Sequence, residues 1–534
     1  MMNVPLTVNS LLERAETYFS KKTVVSRTST GIKRLSYREI GSRTRALASA
    51  LEKLGVQRGD RVGTLAWNDH RHLEAYFAAP CMGAVVHTIN VRLPEEHLTY
   101  IINHAEDRVL LIDESFVPMV EKVRDQLKTV KAFVILSDEK EPPETTLSPA
   151  YAYEQLVADG DANFAFVSDL DENEPCGMCY TSATTGKPKG VEYTHRSTVL
   201  HCFASALADT LALSESDVCM PVVPMFHVNA WGIPYTTTML GTTLVLPGPG
   251  VTPQILAELI QSEKVTFTAG VPTVWLGLMK VLESGNYKTD SLRAVVCGGS
   301  AAPKSLIRAY EEKYGIPFIH AYGMTETSPI ASVARLKTYQ QDLPDEDKIQ
   351  IRATQGMIVP GLEVRVVDDN GEVAHDGKAM GELLLRGPWI ADEYFKDERS
   401  EEAFSDGWLH TGDIVTIDEE GNLTIVDRTK DLVKSGGEWI SSVALENALM
   451  AHEAVFEAAV VAVPHPKWQE RPLAAVVLKE DGQVSAESLL EHLREQFPKW
   501  WVPDDVVFVK EIPKTSVGKF LKRQLRETFK DYLK

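Results

Sequence analysis

From the amino terminus to about residue 340, helical apolar periods alternate with short runs rich in Val, Ile and Leu. Strands separated by helices pair in parallel, and parallel strands need helices on both faces, so this alternation predicts an α/β domain. Leu47, Leu51 and Leu54 recur at helical spacing, and RVGTLAW from Arg61 to Trp67 reads as the strand that follows. The acidic, Pro-rich stretch from Ser137 to Ala150 reads as a surface loop. From about Gly361 the pattern changes to strict alternation with hairpin turns, in VRVVDDNGEV and TGDIVTIDEEGNLTIVDR, which predicts a β-rich subdomain over about 361–429. After Lys430 it is mixed again and ends in a basic helix, FLKRQLRETFKDYLK. The expected architecture is a large domain over 1–429 and a small, mobile α+β domain over 430–534, with a hinge near Lys430.

Composition narrows the function. A chain of 534 residues exceeds what one hydrophobic core organises, so at least two cooperative units are expected. The net charge is −20, which argues against a nucleic-acid binder and requires any polyanion site to concentrate positive charge locally. From Asp431 to the carboxyl terminus there are 14 basic and 16 acidic side chains, so the acidity belongs almost wholly to residues 1–430. Six cysteines are too few for a disulfide framework and fit a reducing, cytoplasmic setting. Cys176 and Cys179 fall in a strand, where residues three apart face opposite ways, so they read as buried thiols and not as a metal pair. No signal-peptide pattern opens the sequence, and no run of about 18 apolar residues could span a bilayer.

Four segments carry chemistry. In YTSATTGKPKG, Tyr180 to Gly190, the hydroxyls of Thr181, Ser182, Thr184 and Thr185, the backbone at Gly186, and Lys187 and Lys189 follow an apolar strand, a donor-rich loop suited to a phosphate chain. It is not a Walker A loop: Thr181 stands where the first Gly belongs, and Pro188 follows Lys187. In HAYGMTETS, Tyr322 offers a face for a planar base, and Thr325 and Glu326 offer the hard oxygens that Mg²⁺ prefers. A capped helix start with Thr325 as its cap is the competing structural reading. In the 409–428 hairpin, strand partners sum to 841, which sets Asp413 opposite Arg428 as either a ribose clamp or a surface ion pair. Near the carboxyl terminus, Lys519 follows Gly518 in a Ser/Thr-rich turn and can deliver a point charge.

These motifs, in this order over about 340 residues, resemble the adenylate-forming superfamily of acyl-CoA synthetases, adenylation domains of peptide synthetases and luciferases. VPMFHVNAWGIPY, GVPTVW, GGSAAP and KSGGEWISSVALENAL are similar to the fatty acyl-CoA synthetase branch. The resemblance implies that a carboxylic acid is activated by ATP to an acyl-AMP and transferred to coenzyme A. It places the β- and γ-phosphates on the Tyr180–Gly190 loop, with Thr184 and Glu326 at Mg²⁺. Tyr322 and the Gly299-Ser300-Ala301 turn would line the adenine pocket, Thr325 would contact the α-phosphate, and Asp413 and Arg428 would hold the ribose. Lys519 corresponds to the adenylation lysine, Lys430 to the hinge, and Gly436 and Gly437 to the pantetheine tunnel. Ala183 stands where the family usually has Gly, which adds a methyl beside the phosphates.

The same resemblance puts His227, Trp231, Gly232, Val271 and Gly323 at the acyl group. An Asp at the position of His227 holds the ammonium in amino-acid-activating relatives, so the imidazole disfavours a free amino acid. Trp231 is expected to gate an acyl channel and Gly232 to leave room behind it. A medium- to long-chain fatty acid is the expected substrate. A short thioether or branched acid, or transfer to an acyl carrier protein, are the alternatives. The branch also suggests a homodimer and a cytoplasmic enzyme that can be peripheral to a membrane during fatty-acid uptake.

Overall fold

The computed structural model describes residues 1–181, 187–435, 438–480, 482–514 and 520–533. Two large sheets dominate the first part of the chain. In one, Ala150–Ala152, Ala132–Leu136, Asp107–Asp113, Arg61–Leu65, Val85–Thr88 and Pro175–Tyr180 run parallel in that order, and Gly190–Thr194 closes the edge antiparallel. In the other, the parallel strands Phe318–Gly323, Ala294–Cys297, Phe267–Gly270, Val218–Pro221, Thr243–Leu246 and Thr23–Arg27 form the centre of a nine-stranded sheet. Their apolar runs are buried on both faces, as parallel strands require. The helix Tyr37–Lys53 is typical of the layers between. Ser36 and Glu39 form a reciprocal capping box, Leu47 and Leu51 are buried, and Leu54 follows as its cap. The largest apolar cluster draws on both sheets, so they share one core.

The switch to alternation at residue 361 is real. Glu363–Asp368, Gly381–Arg386, Leu409–Ile417 and Leu423–Arg428 are consecutive antiparallel neighbours in a five-stranded sheet. Asp413 pairs with Arg428, as the sum of 841 required. Beside the turn the sum is 840, at Ile417 with Leu423, and a bulge between Ile414 and Val415 supplies the missing residue. From Val433 onward the chain builds a separate sheet around the long hairpin Val455–His465 and Gln469–Leu478, with its own apolar clusters. All six cysteines are free and buried, with Cys176 and Cys179 in different clusters on opposite faces of their strand. Among the described residues no helix is long and apolar enough to cross a membrane, and no three His, Cys, Asp or Glu side chains gather to hold a metal.

One buried polar cluster ties the C-terminal helices to the five-stranded sheet. Lys522 reaches Glu446 at 2.7 Å and Ser442 Oγ at 2.6 Å, and the Ser442 amide donates to Asp427 at 2.7 Å. Burial pushes the Glu446 carboxyl up to about 7, and Asp427 is raised for the same reason. A carboxyl raised on folding stabilises fully below its unfolded value, 4.5 for Glu446, and that contribution is lost as pH rises through about 7. Thermal melting between pH 5.5 and 8 is therefore expected to fall less steeply for Glu446→Gln than for the parent, by on the order of 2 kcal/mol across the window. Parallel melting curves would show that Glu446 does not titrate there.

Candidate active site

Parallel strands end with their carboxyl ends open, and a ligand site forms where the connections part. Here Pro175–Tyr180 from one sheet, and Val218–Pro221, Ala294–Cys297 and Phe318–Gly323 from the other, deliver their following loops to one cavity of about 240 Å³, whose lining does not include Val271. Thr181, Lys189, Thr325, Glu326, Arg428 and Lys430 form its polar wall. His227, Trp231, Gly299, Tyr322 and Gly323 border the same space.

On the polar side, the two ends of the Tyr180–Gly190 loop are tied together. The Thr181 amide donates to the Lys189 carbonyl at 2.9 Å, and the Lys189 amide donates to Thr181 Oγ1 at 3.2 Å. Burial lowers the Lys189 pKa. Thr325 begins a single 3-10 turn, Thr325–Thr327, and is not its cap: Thr327 Oγ1 accepts from the Met324 amide instead. Tyr193 donates to the Thr325 carbonyl at 2.9 Å, and Glu326 is 4% exposed. Gly323 fits here because a Cβ would collide with the Pro329 carbonyl.

Behind this wall lies the hairpin pair. Asp413, 2% exposed, accepts from Tyr322 Oη at 2.6 Å and from Arg428 Nε at 2.9 Å. The charge of Asp413 raises the Arg428 pKa, and burial raises that of Tyr322. The carboxylate of this pair is inside, joined to an aromatic ring and to an arginine that both border the cavity, while the Arg428 side chain is 41% exposed.

The apolar wall is built on an uncommon backbone. Val228, Asn229, Ala230, Trp231 and Gly232 all have positive φ, between 44° and 70°, which makes one left-handed turn. Each non-glycine residue there costs roughly 1–2 kcal/mol, so the turn must be held. Asn229 holds it: its buried Oδ1 accepts from Thr88 Oγ1 and from Cys179 Sγ, each at 3.3 Å. The turn lays the Trp231 ring over Gly298, where a Cβ would sit 3.0 Å from the indole. The space behind Gly232 is not open to an acyl chain. It holds the His201 ring, 2.6 Å from where a Cβ would stand, and this corrects the reason given for a glycine at that position. Val271 caps the next helix and packs toward Gly299, while Ser300 and Ala301 continue the turn outside the cavity wall.

Ser182, Ala183, Thr184, Thr185 and Gly186 lie outside the described residues, as do Gly436, Gly437 and Lys519. Two residues that sequence reasoning missed stand at the site. Tyr394 lies between Lys189 and Glu326, and Arg399 borders the cavity and donates to the Lys187 carbonyl at 3.1 Å. Both come from the charged loop after Arg386, where no periodicity or motif marks them.

Comparison with known proteins agrees with this geometry. The model of the AMP-binding enzyme family matches residues 12–395, and that of the AMP-binding enzyme C-terminal domain matches 444–519. The chain belongs to the AMP-binding enzyme family. Within it, the sequence sits in the fatty acyl-CoA synthetase branch of adenylate-forming enzymes. It is 52% identical to a long-chain-fatty-acid–CoA ligase of Thermus thermophilus, over 100% of this chain and 97% of that one. It is 47% identical to a 3-methylmercaptopropionyl-CoA ligase of Ruegeria lacuscaerulensis, over 100% and 99%. It is 45% identical to a medium-chain-fatty-acid–CoA ligase of Ectopseudomonas oleovorans, over 100% and 98%. Among solved structures, an anthranilate CoA ligase in complex with anthranoyl-AMP superposes with a TM-score of 0.87 at 27% identity, covering 98% of each chain. ATP-bound MatB from Rhodopseudomonas palustris gives 0.84 at 26%, covering 99% of this AMP-binding enzyme and 100% of that chain. ATP and coenzyme A are substrates of AMP-forming ligases of this kind.

Proposed function

We propose that this AMP-binding enzyme joins a medium- to long-chain fatty acid to coenzyme A through an acyl-AMP, releasing pyrophosphate and then AMP. The observation that carries the reading is a single cavity with a cationic and hydroxylic wall, a buried Asp413 joined to Tyr322 and Arg428 on that wall, and an apolar wall headed by Trp231. The names of its full-length relatives support the acyl class.

In the first step a carboxylate oxygen attacks the α-phosphorus and the bond to pyrophosphate breaks. Both reactants are anions, so the barrier is one of positioning and charge. Tyr322 and the Gly299 turn would receive adenine, and Asp413 with Arg428 the ribose, Asp accepting and Arg donating. Lys189 and the 181–190 loop would hold the β- and γ-phosphates, and Thr325 would meet the α-phosphate. Glu326, a buried oxygen donor on the cavity wall, fits a hard divalent cation such as Mg²⁺, with Thr184 as its companion. When bound, that ion would neutralise charge on the phosphates. Lys519 would complete the neutralisation. In the second step the coenzyme A thiolate attacks the acyl carbonyl and AMP leaves. Rotation of the small domain about Lys430 would replace Lys519 by the Gly436-Gly437 turn at the pantetheine tunnel.

The test is pyrophosphate exchange and coenzyme A thiol loss across saturated acids of increasing length. Specificity, as kcat/KM, is expected to rise by about fourfold per methylene and to peak among medium- and long-chain acids. A peak at a short thioether acid would favour the alternative suggested by the Ruegeria relative. Exchange without thiol loss would favour a carrier-protein acceptor, and neither signal with any acid would sink the enzyme reading.

A further inference from the structure

The loop after Gly381–Arg386 touches both halves of the phosphate-binding wall. Its Trp389 carbonyl accepts from Ser328 Oγ at 2.8 Å, and its Ala391 amide donates to the Glu326 carbonyl at 2.8 Å. A few residues later the Phe395 amide donates to the Gly190 carbonyl at 2.9 Å, and Arg399 holds the Lys187 carbonyl. The loop thus braces the Thr-Glu turn, which belongs to one sheet, against the phosphate loop, which belongs to the other.

Tyr394 stands at the middle of that brace. It is 3% exposed, and its ring is held edge-on by Phe404, with centroids 4.9 Å apart, and packs with Cys179, Val191 and Tyr193. Its hydroxyl has both hydrogen-bonding roles filled: it accepts from Lys189 Nζ at 2.7 Å and donates to Glu326 Oε1 at 2.7 Å. The Lys189 ammonium also lies 3.9 Å from the ring centroid. One rigid side chain therefore sets both the separation and the direction of an ammonium and a carboxylate. A direct ion pair between them would instead turn each away from an incoming ligand.

We propose that Tyr394 is a positioning residue for the metal–triphosphate: it holds Glu326 and Lys189 apart and aimed, so that one meets the cation and the other the β,γ-phosphates. The proposal rests on the reading of Glu326 and Lys189 given above. An outer group that orients a metal ligand typically accounts for about 10-fold or more in metal affinity.

The experiment is equilibrium binding to the full chain by calorimetry, using α,β-methylene-ATP with Mg²⁺ and, separately, AMP. Mn²⁺ titration followed by paramagnetic resonance reads the cation directly. Tyr394→Phe keeps the ring and removes only the hydroxyl. It is expected to weaken the metal–triphosphate analogue and Mn²⁺ by about 10-fold and to leave AMP, which lacks the β,γ-phosphates, unchanged. Equal weakening of AMP, or no change in the analogue, overturns the proposal. Glu326→Gln and Lys189→Met separate the two failures. If both weaken the analogue and Tyr394→Phe does not, the positioning role alone falls. If neither does, the reading of the phosphate wall falls and the role of Tyr394 falls with it.

Discussion

Asp413→Ala is expected to lower kcat/KM for ATP by about 10²-fold or more, because it removes two charge-assisted hydrogen bonds worth roughly 1.5–3 kcal/mol each. Asp413 is 2% exposed and is shared by Tyr322 and Arg428, so its loss would do more than delete the proposed ligand to the ribose. It leaves a guanidinium without its counter-charge and a phenol without its acceptor, both on the wall that would receive the nucleoside. Asp413→Asn refines the prediction. The amide oxygen can still accept from Tyr322, but it cannot neutralise Arg428, so an intermediate loss is expected. AMP affinity should fall together with that of ATP, unlike the Tyr394 variant, since the defect lies at the ribose and not at the phosphates. Steady-state kinetics with ATP varied at saturating acid, together with AMP titration, checks both. An unchanged kcat/KM for Asp413→Ala would make the pair a fold element only.

That pair also shows why parts of this protein were legible in the sequence. Alternation fixed the faces of the 409–428 hairpin, and the pairing of Asp413 with Arg428 followed from assuming a turn at Glu419 to Asn422. The turn is in fact one residue longer, with Asp418 and Asn422 joined across it, and the bulge at Ile414/Val415 restores the register. Two local irregularities cancel at the one position that matters. The parallel sheets were legible for a related reason: strands buried on both faces leave nearly unbroken apolar runs, as in Ala132–Leu136 and Ala294–Cys297.

What escaped the sequence is backbone and long-range geometry. Nothing in FHVNAWG announces a left-handed turn, since Val228 and Trp231 disfavour positive φ. The conformation is imposed by Asn229 reaching Thr88 and Cys179, which are 141 and 50 residues away in sequence. The same holds for His201, whose ring occupies the space behind Gly232, and for Tyr394, whose partners Lys189 and Glu326 are 205 and 68 residues distant. Motif reading finds residues that contact the substrate because their spacing is local. It passes over the groups that hold them, because their spacing is not.

The largest and most selective effect is expected at Lys519. Lys519→Ala should lower acyl-AMP formation by on the order of 10²–10³, the usual cost of removing one preorganised charge donor, while thioester formation from a supplied acyl-AMP and coenzyme A proceeds unchanged. The chain on either side is closed by the bridge between Lys514 and Phe520, and the helix that follows, Lys522–Phe529, is anchored at its first residue by Lys522 to Glu446 and Ser442. Both flanks of residues 515–519 therefore belong to the small domain and would move with it. The two half-reactions place opposite demands on it: the first needs a cation against the α-phosphate, and the second needs that space cleared for a thiol. Rotation about Lys430, beside the turn in which the Asp431 and Leu432 amides donate to the Arg428 carbonyl, would satisfy both. Pyrophosphate exchange reads the first step, and thiol loss with synthetic acyl-AMP reads the second. If both fall together in Lys519→Ala, the lysine supports the fold of its domain and takes no part in the exchange of states.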